Sequence, residues 1–342
     1  SPDVDYISAM GVQGTQTFVV GQEQGEGIYN YGSEWQELVS SNYYWRIKAI
    51  DDKDSQSNWT VASGTPSFII DLSAPSNATT VRMKSHSGSL NEYTQSDDTI
   101  WFNRNDLYFE WEEGSDPQGV KGYCLYLGKK IDGDPAGEKG LLGTSPISTT
   151  GSTCEFITAQ NHIDFSNTAL RSYEWLTSSN SKYYFKVKTI DVANNIYTGP
   201  DSTNFVSFKF DNTPPQNVTA ISAPSSTFSS TADIYFSWPT NPESTASDLN
   251  SEILGFQYAL NSRETWYGDR IHDITGENYS LMSTNQPFLL SEDLRNLIQL
   301  GQNIIYFRVL DNAGNVSELR TVYVNYGGEA PKFLEGQEVT VN

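Results

Sequence analysis

The sequence predicts an all-β chain of tandem β-sandwiches in an elongated arrangement. Three observations predict it. Aromatic residues make up 13% of the 342 residues and charged residues only 18%, with few Leu-Ala-Lys-Glu runs, a balance that favours pleated over helical structure. One strand-like stretch occurs three times, as Tyr43-Tyr44-Trp45-Arg46-Ile47-Lys48-Ala49-Ile50-Asp51, as Tyr183 to Asp191, and as Asn303 to Asp311. Finally, several landmarks recur at one spacing. Asp51 and Asp191 lie 140 residues apart, as do Phe68-Ile69-Ile70-Asp71 and Phe208-Lys209-Phe210-Asp211. Repeats at fixed spacing mark repeated structural units.

The elements follow in chain order. Asp5-Tyr6-Ile7-Ser8-Ala9-Met10-Gly11 reads as the Gly-aromatic strand of a first unit that lacks its opening strands. This predicts upstream residues, or a strand supplied by another molecule, to cover an open half-sandwich. The Phe68–Asp71 strand leads into Pro75-Ser76-Asn77-Ala78-Thr79, which recurs as Pro215-Gln216-Asn217-Val218-Thr219. Leu107-Tyr108-Phe109-Glu110-Trp111 alternates, turning Leu107, Phe109 and Trp111 to one face, and Ile234, Phe236 and Trp238 repeat the pattern. A turn-rich acidic loop follows each, Gly114 to Gly119 and Asp248 to Ser251, before a Gly-aromatic strand at Gly122 and at Gly255. Lys129 to Gly151, rich in Gly, Pro, Ser and Thr, reads as a long loop insertion. Helical signal is scarce, with Ser291 to Ile298 as a turn or two. The expected boundaries are 1–73 for a partial sandwich, 74–213 for a sandwich with the insertion, 214–327 for a third, and 328–342 for the start of another module.

Trp111 and Trp238 are expected to centre the cores, with Tyr43 and Tyr183 beside them. The opposite faces, Arg46/Lys48, Lys186/Lys188 and Arg308, are expected to be exposed and weakly paired with neighbouring carboxylates.

The Trp-bearing second strand, the Gly-aromatic third strand and the Tyr-x-aromatic-x-Val-x-Thr-x-Asp strand ending at Asp191 together resemble bacterial fibronectin type III-like and related immunoglobulin-like modules. Asp311-Asn312-Ala313-Gly314-Asn315-Val316-Ser317 matches a strand ending common in surface-protein repeats of that kind, and Asp191 to Asn195 is a looser version. The resemblance implies a tyrosine corner at Tyr43 and at Tyr183. Asn303 holds the third position, to which the corner is not carried over. It also implies roles as spacers, adhesive stalks, surface-layer or filament subunits, or accessory modules of secreted polysaccharide enzymes, on a fold that hosts unrelated functions.

Charge narrows the partners. A net charge of −21 argues against binding nucleic acid or anionic lipid, and no apolar run suits insertion in a membrane. The excess of carboxylates suits divalent cations. Asp51, Asp71, Asp191, Asp211 and Asp311 stand at strand ends and module junctions, where oxygen ligands from two segments would clamp calcium, or where each Asp simply bonds its own turn. Asp132-Gly133-Asp134-Pro135-Ala136-Gly137-Glu138 is a weaker calcium candidate without the full ligand spacing.

Cys124 and Cys154 are a candidate disulfide, although alternation points Cys124 away from the core and pairing requires Cα atoms within about 7 Å. Asn58, Asn77, Asn217, Asn278 and Asn315 lie in glycosylation sequons. Trp35, Trp59, Trp101, Trp175 and Trp266 fall outside the core pattern, as candidate sugar-stacking rings or as covers of sheet edges. His86, His162 and His272 are isolated, and no nucleophile or phosphate-loop motif surrounds them, so no enzyme is expected. The expectation is an extracellular or cell-surface structural fragment that acts as spacer and assembly module. Its partners would be copies of itself, neighbouring modules of the parent chain, or surface polysaccharide. The alternative is a carbohydrate-binding accessory region of a secreted polysaccharide-degrading enzyme.

Overall fold

The computed structural model describes residues 6–7, 28–29, 39–49, 51, 53–61, 66–93, 100–199, 205–223, 225, 227–229, 235–239, 245–266, 270–273, 278–281, 288–289 and 297–328. The described residues are β structure and loops, with a single 3-10 turn at Thr168–Leu170. The all-β expectation therefore holds. Residues 291–296 of the Ser291–Ile298 turn lie outside the described residues, as does the Asp5–Gly11 strand apart from a two-residue pairing of Tyr6–Ile7 with Ile28–Tyr29. By its contacts the chain divides into two compact units. One gathers Ser1–Ser76, Ser115–Lys121 and Thr189–Thr198, and the other gathers Asn77–Gly114, Gly122–Lys188 and Gly199–Asn342.

The larger unit contains two cores. Around the first, a five-stranded sheet runs in the order Ile157–Thr158, Val120–Gly128, Ser179–Asp191, Phe205–Phe210 and Trp101–Phe102. A three-stranded sheet runs in the order His162–Asp164, Tyr108–Glu112 and Thr79–Lys84. Period-2 alternation aims Phe109 and Trp111 inward, where Phe109 stacks on Phe185 at 4.0 Å between centroids and Trp111 meets Tyr123 edge-on at 5.3 Å. Trp111 is buried. Burying about 200 Å2 of indole contributes about 5 kcal/mol of gross transfer energy, comparable to a whole domain's net stability. The second core gathers Trp238, Phe256 and Phe307, with ring centroids 5.0 and 5.3 Å from Trp238. Its sheet runs in the order Thr227–Phe228, Arg320–Tyr326, Gly301–Asp311 and Ile253–Leu260.

The threefold nonapeptide is a continuous strand in its second and third copies. The first copy splits into Ser41–Tyr43 and Arg46–Ile47, which pair with different partners, Phe68–Ile70 and Thr60–Val61. Tyr43 is half-buried and stacks on Phe68 at 5.3 Å, whereas Tyr183 is fully buried and stacks on Phe208 at 5.7 Å.

The tyrosine corners take the form that the resemblance implied. The Tyr43 hydroxyl donates to the Val39 carbonyl and accepts from the Val39 N–H, both at 2.9 Å. The Tyr183 hydroxyl does the same with Thr177, at 2.9 and 3.0 Å. Asn303 forms the equivalent corner without a phenol. Its Nδ2 donates to the Gln299 carbonyl at 2.7 Å, and its Oδ1 accepts the Gln299 N–H at 2.9 Å. A carboxamide carries a donor and an acceptor, as a hydroxyl does.

Two expectations about exposure need correction. Lys186 and Lys188 are buried, because the Lys129–Glu138 part of the insertion folds over their face. Lys186 Nζ donates to the Ile131 carbonyl at 2.7 Å, and Lys188 Nζ pairs with Asp134 at 2.8 Å. Cys124 is likewise fully buried, and it is disulfide-bonded to Cys154 with the Cα atoms 5.7 Å apart. Both faces of the Val120–Gly128 strand are covered from Gly122 onward, so alternation there does not sort core from solvent.

Candidate metal centre

The strand endings build a bracket. Each strand closes on an Asp, and the chain turns back within four residues. The Asp191 N–H donates to the Asn195 carbonyl and the Asn194 N–H donates to the Asp191 carbonyl, at 3.0 and 3.1 Å. The third ending repeats both bonds at Asp311, Asn315 and Gly314, and the first repeats them at Asp51, Ser55 and Asp54. In every copy the fourth residue has a left-handed backbone, with φ of 61° at Asp54, 72° at Asn194 and 86° at Gly314. Asp, Asn and Gly are the residues that tolerate it.

Where the fifth residue is Asn, its side chain ties the turn to a distant segment. Asn195 Nδ2 donates to Asp191 Oδ2 at 2.8 Å and to the Asp71 carbonyl at 2.9 Å. Asn315 Nδ2 donates to Asp311 Oδ2 and to the Asp211 carbonyl, both at 2.8 Å. Each linker residue, Asp71 or Asp211, is thereby fixed beside a buried carboxylate. Ser55 is too short to reach in this way, and Asp51 is exposed, its carboxyl held below the usual range by the N–H groups of Ser55 and Lys53.

A third carboxylate completes each group. Asp71, Asp116 and Asp191 place one oxygen apiece within 4.8 Å of one another, and so do Asp211, Asp248 and Asp311. Asp116 and Asp248 come from the two turn-rich acidic loops, which the sequence shows as equivalent. It does not show that they converge on the strand endings. Of the five Asp residues expected to bind calcium, four fall in these two groups, and Asp51 joins neither. Ionised carboxylates no more than 4.8 Å apart repel by at least about 3 kcal/mol per pair at an effective dielectric constant of about 20. Burial pushes the Asp311 carboxyl up to about 7, against the bonds from Asn315 and with help from Asp211 and Asp248. An all-carboxylate donor set, without His or Cys, suits a hard cation that takes oxygen ligands in flexible geometry.

The other candidates have specific occupations. In the Asp132–Glu138 loop, Asp134 pairs with Lys188 and Glu138 with Lys130, both at 2.8 Å, so lysines occupy two of its three carboxylates. Asn217 Nδ2 donates to the Glu318 carbonyl at 2.7 Å, and Asn315 is used by the bracket, so in both the nitrogen that a glycan would take is engaged. Asn58 is exposed, Asn77 is half-buried, and the Asn278 side chain lies outside the described residues. Trp101 is buried, Trp175 and Trp266 are half-buried, and Trp35 lies outside the described residues. Trp59 is exposed, with the Arg46 guanidinium 4.3 Å and the Lys48 ammonium 4.6 Å from its ring centroid. No helix among the described residues is long and apolar enough to cross a membrane.

No family model matches the chain, and no curated protein matches it. Fifty-seven solved chains match it, the following two among them. The fibronectin(III)-like modules of CbhA from Clostridium thermocellum align at a TM-score of 0.33 and 14% identity, covering 70% of this chain and 94% of that one. A tetra-tandem repeat in the extending region of a large adhesion protein aligns at a TM-score of 0.24 and 12% identity, covering 87% of this chain and 60% of that one. At these TM-scores neither likeness transfers a function to this chain.

Proposed function

We propose that the chain is an extracellular, non-catalytic spacer: a run of sandwich modules, bounded as the repeats suggest at 73/74 and 213/214, that sets distance in a larger surface or secreted protein. The observation that carries this reading is the duplicated bracket. Asn195 and Asn315 each fasten a linker carbonyl, Asp71 and Asp211 respectively, to a strand ending more than a hundred residues away in sequence. A linker pinned to the turns beside it resists bending, as a flexible polar linker does not. The Cys124–Cys154 disulfide supports an oxidising compartment.

The test is small-angle scattering on the whole chain, wild type against Asn195→Ala/Asn315→Ala, with a pull-down on insoluble polysaccharide in parallel. A spacer shows a long maximum dimension that shortens or blurs in the double variant, and no retention on polysaccharide. An unchanged profile refutes the pinning. Retention lost in Trp59→Ala establishes the accessory-module reading instead.

A further inference from the structure

We infer that the two carboxylate groups, alike in sequence, differ in chemistry. The group of Asp71, Asp116 and Asp191 is a calcium site, whereas the group of Asp211, Asp248 and Asp311 closes on its own hydrogen bonds and takes no ion. This goes beyond the spacer reading and stands or falls separately from it.

The groups share their bracket and differ in their loops. In the first, Asp116 Oδ1 accepts the N–H groups of Gln118 and Gly119 at 2.7 and 3.2 Å, and Asp71 Oδ1 accepts that of Ser73 at 3.0 Å. The second oxygen of each, Asp71 Oδ2 and Asp116 Oδ2, is wholly shielded from solvent and has no hydrogen-bond partner. These two shielded oxygens, on the half-buried Asp71 and Asp116, belong to the same group as the fully buried Asp191. A shielded carboxylate oxygen without a donor calls for a cation or an ordered water to satisfy it.

In the second group the loop is one residue longer between its Asp and the residue whose carbonyl meets the strand ending. The Val192 N–H donates to Gly119 in the first group, and the Asn312 N–H donates to Glu252 in the second, at 3.1 Å in both. Gly119 and Glu252 are the left-handed residues of their loops, with φ of 115° and 65°. The added residue brings in Ser251, whose hydroxyl donates to Asp211 Oδ2 at 2.8 Å. Asp211 Oδ1 accepts the Thr213 N–H at 2.9 Å and the Asn250 amide at 3.4 Å. Asp248 Oδ2 accepts the N–H groups of Asn250, Ser251 and Glu252 at 2.7 to 3.0 Å. Donors thus fill the space where an ion would sit. The first loop has no equivalent of Ser251.

Calcium takes about six to eight oxygens, from carboxylates, carbonyls and water. Asp71, Asp116 and Asp191 would supply the charged part of that shell, and solvent and carbonyls the remainder.

The test is calorimetric titration of the chelator-treated 342-residue chain with calcium chloride in physiological salt, read beside hydrogen exchange of the Ser73 and Ser76 amides. The expected result is one ion per chain, with both amides slowing on addition. Asp116→Asn should abolish binding and Asp248→Asn should leave it intact. Ser251→Ala, which bares Asp211 Oδ2, should raise the stoichiometry toward two. Near-UV circular dichroism checks that each variant is folded, and Asp71→Asn replaces Asp116→Asn if the latter is not. Two equivalent ions in the wild type, or loss of binding in Asp248→Asn, would overturn the distinction. No saturable binding, or exchange at Ser73 and Ser76 that ignores calcium, would overturn the site while leaving the scattering test of the spacer untouched.

Discussion

Replacing Asn195 with Ala tests the bracket most directly. The substitution removes two donors at once, the 2.8 Å bond to Asp191 Oδ2 and the 2.9 Å bond to the Asp71 carbonyl. A neutral bond contributes about 1 kcal/mol net and one to a charged acceptor about 1.5–3 kcal/mol. Asn195 is half-buried, so water reaches part of the vacated space. The expected loss is then about 1.5–3 kcal/mol, confined to the linker and its turn rather than spread over the fold. In hydrogen exchange this corresponds to about 10- to 150-fold faster opening of the linker. The reporter is the Ser76 amide, which donates to the Ser115 carbonyl at 2.8 Å. Amides of the Ser179–Asp191 strand should keep their protection up to Lys188. Asn195→Asp should cost more than Ala in the absence of divalent ions, because it adds a carboxylate to three already present. Unchanged exchange at Ser76 in Asn195→Ala would refute the bracket as a linker clamp. Loss of protection throughout the chain would show instead that Asn195 supports folding as a whole.

Three further outcomes follow from the same geometry. Trp111→Ala removes the indole packed against Tyr123 and Phe185 and should destabilise its core by about 3–5 kcal/mol, seen as loss of near-UV dichroism at a lower denaturant concentration; a midpoint within error of wild type would deny it a central role. For Asp311 the folded carboxyl is raised to about 7 from an ordinary value of 3.8, so the folded state holds this proton more tightly than the unfolded chain. The stability from that proton is present in full below about pH 4 and lost as pH rises through about 7, so wild type should gain less than Asp311→Asn over that interval, and parallel melting curves would contradict the assignment. Reducing the Cys124–Cys154 bond, which closes a separation of 30 residues, should cost about 3.5 kcal/mol on the chain-entropy account, measured as a fall in melting temperature. No fall would place the stabilisation in packing alone.

The fold class was legible because its signals are local. Period-2 alternation in Leu107 to Trp111, and the recurrence of Tyr183 to Asp191 at Asn303 to Asp311, depend on neighbours along one strand. The strand-ending Asp residues were legible too, since each bonds its own turn. The sites were only half legible. Asp71, Asp116 and Asp191 are far apart in sequence and meet through sheet register and loop path. The acidic loops were visible as a repeated feature, but nothing local says where a loop tip comes to rest. Burial of Lys186 and Lys188 misled for the same reason, because alternation reports the strand's own faces and the covering insertion arrives from elsewhere. Asn303 shows the opposite limit: its amide replaces a phenol by making the same two bonds, an equivalence of donor and acceptor hidden by residue identity. What the amino-acid order determined by itself was which stretches form strands and which aromatic side chains, such as Phe109 and Trp111, seek the interior, since both rest on periodicity. What tertiary structure alone decided was which carboxylates share a space and whether donors or bare oxygens fill it, because only the folded chain brings together residues far apart in sequence.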